Sequence, residues 1–164
     1  MRSELQVSLA IEKYADLVKR ICMLNLKNYA DTEDTFQTVF LKYAMSSIDF
    51  ENDSHEKAWF IRVAMNASRD LLKNFFKCKT ISIEEVLESS MPSCDGIDSK
   101  YKEVLEAVLN LPAKYRDVIY LHYYEGYTAP EIAKILKKNV NTIYTNLTRA
   151  RKLLRDDLGG MMDE

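Results

Sequence analysis

The chain has 164 residues and a mass of 19.0 kDa, room for one domain or two small ones. An apolar share of 47% and a charged share of 29% exclude wholesale disorder, and four glycines with three prolines leave a chain so poor in corners that it reads as mostly helix. The net charge of −2 argues against nucleic acid until its distribution is read, no apolar run nears the ~18 residues of a membrane span, and Glu4 stands where a signal peptide would begin its apolar core, so we expect a cytoplasmic protein without membrane insertion.

From about residue 7 to 27, Tyr14, Leu17, Val18, Ile21 and Leu24 recur at helical spacing and mark one buried stripe. Asp31 is placed to cap the next helix, with Glu33 and Asp34 in its first turn complementing the helix dipole and Phe36, Val39, Phe40 and Tyr43 as its core stripe. A loop from Ser46 to His55 precedes a third helix, about 55–76, whose buried face includes Trp59, Phe60, Val63, Ala64, Ala67 and Leu71. Between 78 and 98 the periodicity breaks, and serines, Pro92 and Gly96 lie among acids, the composition of a linker, with a short helical turn at Ile83–Leu87.

Asp98 is placed to cap a helix carrying Tyr101, Val104, Leu105, Val108 and Leu109, which Leu111-Pro112 breaks. Pro112 suits the first turn of a following helix that runs through Ile119 and Tyr123 and stops at Gly126 in the left-handed conformation. Thr128-Ala129-Pro130-Glu131 reads as a capping box. A short helix then ends in a turn at Lys137-Lys138-Asn139, and Asn139 caps a last helix with Val140, Ile143, Leu147, Ala150 and Leu154 on one face. The fold class is therefore all-α, two small helical domains joined by a flexible linker, with residues 1–77, 78–98 and 99–164 as first domain, linker and second domain.

Charge follows the same division. Residues 28–56 carry seven acids and one base; residues 57–79 carry six bases and one acid; residues 84–106 are acidic again; and residues 134–155 hold seven bases and no acid. Two separate basic stretches are the electrostatic footprint of two polyanion contacts. A short helix, a three-residue turn and a longer helix with a basic, hydroxyl-rich outer face make a helix-turn-helix. Asn141, Thr142, Tyr144, Thr145, Thr148 and Arg149 supply base-reading groups, while Lys137, Lys138, Arg151 and Lys152 supply cations for phosphates. Arg62, Asn66, Arg69, Lys73 and Lys77 form a second stripe on the third helix. Cys22, Cys78 and Cys94 have no metal-ligand spacing, and there is no glycine-rich phosphate loop, HExxH or GxSxG, so neither cofactor, metal nor catalytic residues are expected.

Leu111-Pro112-Ala113-Lys114-Tyr115-Arg116, Tyr124-Glu125-Gly126-Tyr127-Thr128, Glu131-Ile132-Ala133 and Leu147-Thr148-Arg149-Ala150-Arg151 together resemble region 4 of the sigma-70 family, in its extracytoplasmic-function group. Residues 31–40 resemble region 2.2, and Ala58 to Asn66 with Asp70 resemble regions 2.3 and 2.4. The likeness covers about residues 7–77 and 100–156. It implies a promoter-specificity subunit that binds core RNA polymerase at the β′ clamp helices and the β flap, reads the minus-thirty-five element through region 4 and helps melt the minus-ten element through region 2. On that resemblance Asp34, Gln37, Thr38 and Leu41 form the polymerase seat, and Arg62, Asn66, Arg69, Lys73 and Lys77, with loop 46–55, hold the displaced strand. An anti-sigma factor is a partner implied by analogy alone.

The chain departs from the family pattern at its reading face. Lys137 opens the turn where a small residue is usual, Asn141 replaces a glycine before the threonine, and Tyr144 and Asn146 replace frequent bases. These exchanges point to a different promoter sequence, or to greater reliance on Lys137, Lys138, Arg151 and Lys152 for phosphates. Acidic residues 84–106 are also placed to cover the basic helix in the free protein, although charge balancing explains the same composition. A stand-alone helix-turn-helix regulator and a helical adaptor that binds only proteins are the alternatives; the first dispenses with the 31–40 motif, the second leaves the acid-free final helix unexplained.

Overall fold

A computed structural model describes residues 1–78 and 99–158, with side chains described over 1–73 and 103–158. The chain divides into two compact units, Met1–Pro92 and Ser93–Glu164, and the described residues form helices without strands. No described helix is long and apolar enough to cross a membrane. The expected linker with its helical turn at 83–87, the Asp98 cap, Cys94 and most of the acidic stretch lie outside the described residues, as do the side chains of Phe75, Phe76 and Lys77.

In the first unit α1 (Glu4–Leu26), α2 (Tyr29–Met45) and α3 (Asp53–Cys78) pack against one another. The first helix starts earlier than the apolar stripe suggests, because Ser3 and Gln6 form a reciprocal capping box. It closes at Lys27 in the left-handed conformation, φ 57°. Asn28 rather than Asp31 caps α2: its side chain accepts from the Asp31 N–H at 3.2 Å, which puts Asp31 inside the first turn. Asn52 Oδ1 accepts from His55 N–H at 2.8 Å at the entry to α3, so the loop is shorter than expected.

The core of this unit is built around an aromatic cluster. Phe60 is fully buried, stacked on Tyr14 with ring centres 4.7 Å apart and touching Phe40, Tyr43 and Trp59 at 5.2, 4.9 and 5.0 Å. Offset and edge-on pairs at these separations add about 0.5–1.5 kcal/mol each beyond burial. Leu24, Phe36, Val63 and Leu71 are half-buried rather than core. Ile61, Met65 and Ser68 are buried instead, because α3 sits between two helices and buries more than one stripe. Asn25 is buried as well, its amide donating back to the Ile21 carbonyl at 2.9 Å.

The second unit contains α4 (Ser99–Leu109), α5 (Ala113–Ile119), α6 (Ala129–Leu136) and α7 (Val140–Leu158). Its core is aliphatic: Leu121, Ile132, Ile143 and Leu154 are almost wholly enclosed, with Val118, Leu147 and Ala150 around them. Pro112 sits at the cap of α5 rather than in its first turn. After α5 the helix widens into one π turn, Tyr120–Tyr124, which the apolar spacing does not announce. Gly126 takes φ +80° as expected. The capping box is present, Thr128 Oγ1 accepting from Glu131 N–H at 3.3 Å and the Thr128 N–H donating to Glu131 Oε1 at 3.0 Å. That backbone hydrogen bond holds the Glu131 carboxyl below its usual range. Asn139 Oδ1 accepts from the Asn141 N–H at 2.8 Å and starts α7 where the sequence placed it.

Candidate nucleic-acid interface

The turn between α6 and α7 is made by Lys137, Lys138 and Asn139, all exposed. Lys137 adopts φ 56°, ψ 48°, the left-handed region, and its N–H closes α6 onto the Ala133 and Lys134 carbonyls. This conformation costs an L-residue roughly 1–2 kcal/mol. It turns the chain so that α7 leaves with Ile143, Leu147, Ala150 and Leu154 inward. The opposite face then carries Asn141, Thr142, Tyr144, Thr145, Thr148, Arg149 and Lys152 in solvent, Tyr144 at 53% exposure. Every expected base-reading residue of the second unit thus lies on one exposed helical face. Asn146 points the other way and is buried, so a base at that position would lose its solvent.

Two arginines on this helix lie beside tyrosines, and one of them is hydrogen bonded there. Arg151, half-buried, donates from Nε to the Tyr123 hydroxyl at 2.7 Å and lies 5.7 Å from that ring's centre. The π turn is the segment that presents Tyr123, 56% exposed, to α7. The Arg149 guanidinium beside Tyr115, with Lys114 nearby, holds that phenol below its usual pKa. Tyr123, Thr148, Arg151, Lys152, Arg155 and Asp156 line an open groove beside the reading face. Below it Arg116 is buried, its Nη1 donating to the Leu109 and Leu111 carbonyls at 3.3 and 3.1 Å, and so ties the end of α4 to α5.

In the first unit the basic stripe of α3 is not uniform. Asn66 and Lys73 are exposed, whereas Arg62 and Arg69 are half-buried and engaged with neighbouring groups; the Lys77 side chain lies outside the described residues. Trp59 and Phe60 are core, as their helical spacing predicts.

The loop between α2 and α3 is better ordered by its own contacts than its acidic sequence suggests. Phe50 turns inward against Tyr43, Trp59 and His55, with ring centres 6.4, 6.0 and 5.2 Å apart. The Glu51 N–H donates to His55 Nδ1 at 3.2 Å. Beneath the loop Tyr43 donates its hydroxyl proton to Glu56 Oε2 at 3.0 Å, and the Tyr14 hydroxyl donates to the Asp53 carbonyl at 3.4 Å. Burial and the Glu56 carboxylate push both phenols above their usual pKa, Tyr14 the further. On α2, Asp34, Gln37, Thr38 and Leu41 are all exposed on one side, Leu41 at 62%, and Met45 continues the line. Thr38 Oγ1 donates to the Asp34 carbonyl at 3.0 Å, so its hydroxyl is turned along the helix.

Comparison with known proteins bears on both units. A family model described as sigma-70 region 2 matches residues 10–74, and one described as sigma-70, region 4 matches residues 101–154. The RNA polymerase sigma factor SigV of Bacillus subtilis (strain 168) is 32% identical over 142 residues, which span 85% of this chain and 82% of that protein. The ECF RNA polymerase sigma factor SigW of the same organism is 26% identical over 161 residues, 90% of this chain and 86% of the relative. Among solved structures, the sigma factor RpoE in complex with the anti-sigma factor NepR from Bartonella quintana superposes with a TM-score of 0.71 at 19% identity, covering 94% of this chain and 98% of the other. That last likeness is one of fold.

Proposed function

Because the chain belongs to the sigma-70 family of RNA polymerase sigma factors, within its extracytoplasmic-function type, we propose that it works in the cytoplasm as a promoter-specificity subunit with no catalytic chemistry of its own. Residues 1–77 bind core RNA polymerase and the minus-ten element, residues 78–98 link, and residues 99–164 bind the minus-thirty-five element and the β flap. The observation that carries this reading is the occurrence in one chain, in order, of both sigma regions, each on its own compact helical unit.

The chemistry supports a division of labour within α7. Asn141, Thr142, Tyr144, Thr145, Thr148 and Arg149 read base edges in the major groove, while Lys137, Lys138, Arg151 and Lys152 neutralise phosphates. In the first unit Arg62, Asn66, Arg69, Lys73 and Lys77 follow the displaced strand, for which cations along the backbone are the general requirement. Asp34, Gln37, Thr38 and Leu41 seat a helical element of the polymerase β′ subunit: an exposed leucine among polar acceptors gives a partner helix an apolar anchor and a polar rim. RpoE of Bartonella quintana is held by an anti-sigma factor, and this chain, sharing its fold, is proposed to have such a partner too.

The test is transcription in vitro from genomic fragments by core polymerase, with and without the protein. New, protein-dependent start sites are expected. Tight operator binding with no effect on core polymerase would instead favour a stand-alone helix-turn-helix regulator. Replacing both Asp34 and Leu41 by alanine is expected to lower co-purification with core polymerase while leaving the helical circular dichroism unchanged, since both side chains are exposed.

A further inference from the structure

The residues before α1 do more than start a helix. The Arg2 N–H donates to the Ala44 carbonyl at 2.8 Å, and its side chain donates from Nε to the Tyr43 carbonyl at 3.1 Å and from Nη2 to the Ile48 carbonyl. The guanidinium also lies over the Tyr43 ring, 4.4 Å from its centre, and 5.1 Å from the centre of Phe50. One side chain therefore grips the last turn of α2, the backbone of the following loop and the ring that anchors the loop to the core.

A second cation, on α1 itself, acts just past the far end of the loop: Lys13 Nζ pairs with Asp53 Oδ1, at the start of α3, at 2.8 Å. Arg2 and Lys13 line one groove of about 400 Å³ with Ile48, Asp49, Phe50 and Glu56. The loop carries Asp49 and Glu51, and Asp53 follows at the start of α3, a charge that would repel a DNA strand passing along it.

We propose that Arg2, supported by Lys13, is a positioning residue for promoter melting. It clips the 46–52 loop to α1 and α2 in a single shape and offsets its acids, so that the loop can take bases of the displaced strand beside α3. The inference rests on the reading of this chain as a sigma factor whose first unit meets the melted minus-ten element. Carbonyl acceptors leave no pattern in the sequence, and an arginine fork that satisfies one at the end of α2 and one in the loop while stacking on two rings loses little further freedom when DNA arrives.

Holoenzyme assembled from the full chain and core polymerase would be tested on a promoter found by the transcription screen, with every base placed in turn at each melted position. Open complexes are read by permanganate reactivity. With Arg2→Ala, the yield is expected to fall about tenfold, the scale of one charge-assisted hydrogen bond, and the base preference at those positions to flatten. Core-polymerase affinity and the thermal transition followed by Trp59 fluorescence stay close to wild type. Arg2→Lys keeps the charge but not the fork and restores less than half of the yield. Phe50→Leu, which removes the ring beside the guanidinium, gives the same flattened profile.

Unchanged yield and base preference in Arg2→Ala would overturn the clip. So would loss of core binding together with melting in both Arg2→Ala and Phe50→Leu, which would make it a folding element only. A wild-type protein that directs no transcription at all removes the sigma reading itself and the clip with it, a different failure from a wild type that works beside an Arg2→Ala variant that works equally well.

Discussion

The two units place their rings oppositely. In the first, aromatic side chains are the core: Phe60 is enclosed by Tyr14, Phe40, Tyr43 and Trp59, and Phe50 carries that cluster out to the loop. In the second, the core is mostly aliphatic, with Tyr120 its one buried ring among the described residues, and Tyr115 and Tyr123 lie further out beside Arg149 and Arg151. A packed aromatic cluster is rigid and directional, which suits the fixed loop shape proposed above. A mostly aliphatic core leaves tyrosines free to orient long cationic side chains at the surface, which, on the DNA-binding role proposed for them, reduces the rotamer freedom those chains would lose on a duplex.

The contrast predicts separable stabilities. Phe60→Ala is expected to cost about 3–5 kcal/mol and to unfold the first unit alone. Its measure is urea denaturation followed by fluorescence of Trp59, the single tryptophan of the chain. Ile143→Ala should cost about 2–5 kcal/mol in the second unit and leave the Trp59 transition in place. Coincident shifts of both transitions in either variant would mean that the two cores do not fold independently.

At the surface the effects are smaller. Arg149→Ala is expected to remove about 1–3 kcal/mol of discrimination at one base pair of the upstream element, read from binding to a panel of single-base variants. A uniform loss across the panel would assign Arg149 to phosphate instead.

The buried phenols make the first unit sensitive to alkali. Tyr14 and Tyr43 are held protonated in the folded state by burial and by Glu56. Below about pH 10, the ordinary phenol pKa, both states keep the proton and stability is unaffected. Above it the unfolded chain ionises first, so the stability of this unit falls as pH rises. Tyr14→Phe should reduce that slope in Trp59-monitored melts; an unchanged slope would place the sensitivity elsewhere. The smallest effect expected is that of Tyr123→Phe, which deletes one acceptor for Arg151 and should weaken DNA binding by less than about tenfold without altering sequence preference.

Much of this architecture was legible because it is periodic or local. Ile143, Leu147, Ala150 and Leu154 repeat at helical spacing, and the Thr128 box and Gly126 turn are written within four residues of themselves. The exposed reading face of α7 followed directly from its buried one. What escaped is non-local or degenerate. Asn28 and Asp31 are both competent caps, and only the packed structure selects Asn28. The bonds from Arg2 to the α2–α3 loop and from Arg151 to Tyr123 join residues forty-six and twenty-eight positions apart, which no spacing rule connects. The half-burial of Arg62 and Arg69 likewise depends on neighbours that a helical wheel omits.

Lys27 and Lys137 end their helices in a conformation that glycine adopts without penalty, in a chain that has only four glycines. At Lys137 the strain and the charge occupy one residue. Glycine there would relax the corner by about 1 kcal/mol and, on the phosphate role proposed for Lys137, delete one ionic tether to DNA. Heat tolerance and grip on the promoter therefore pull this position in opposite directions, and a cell with concentrated internal salt, where such tethers are already screened, has the least to lose by the exchange.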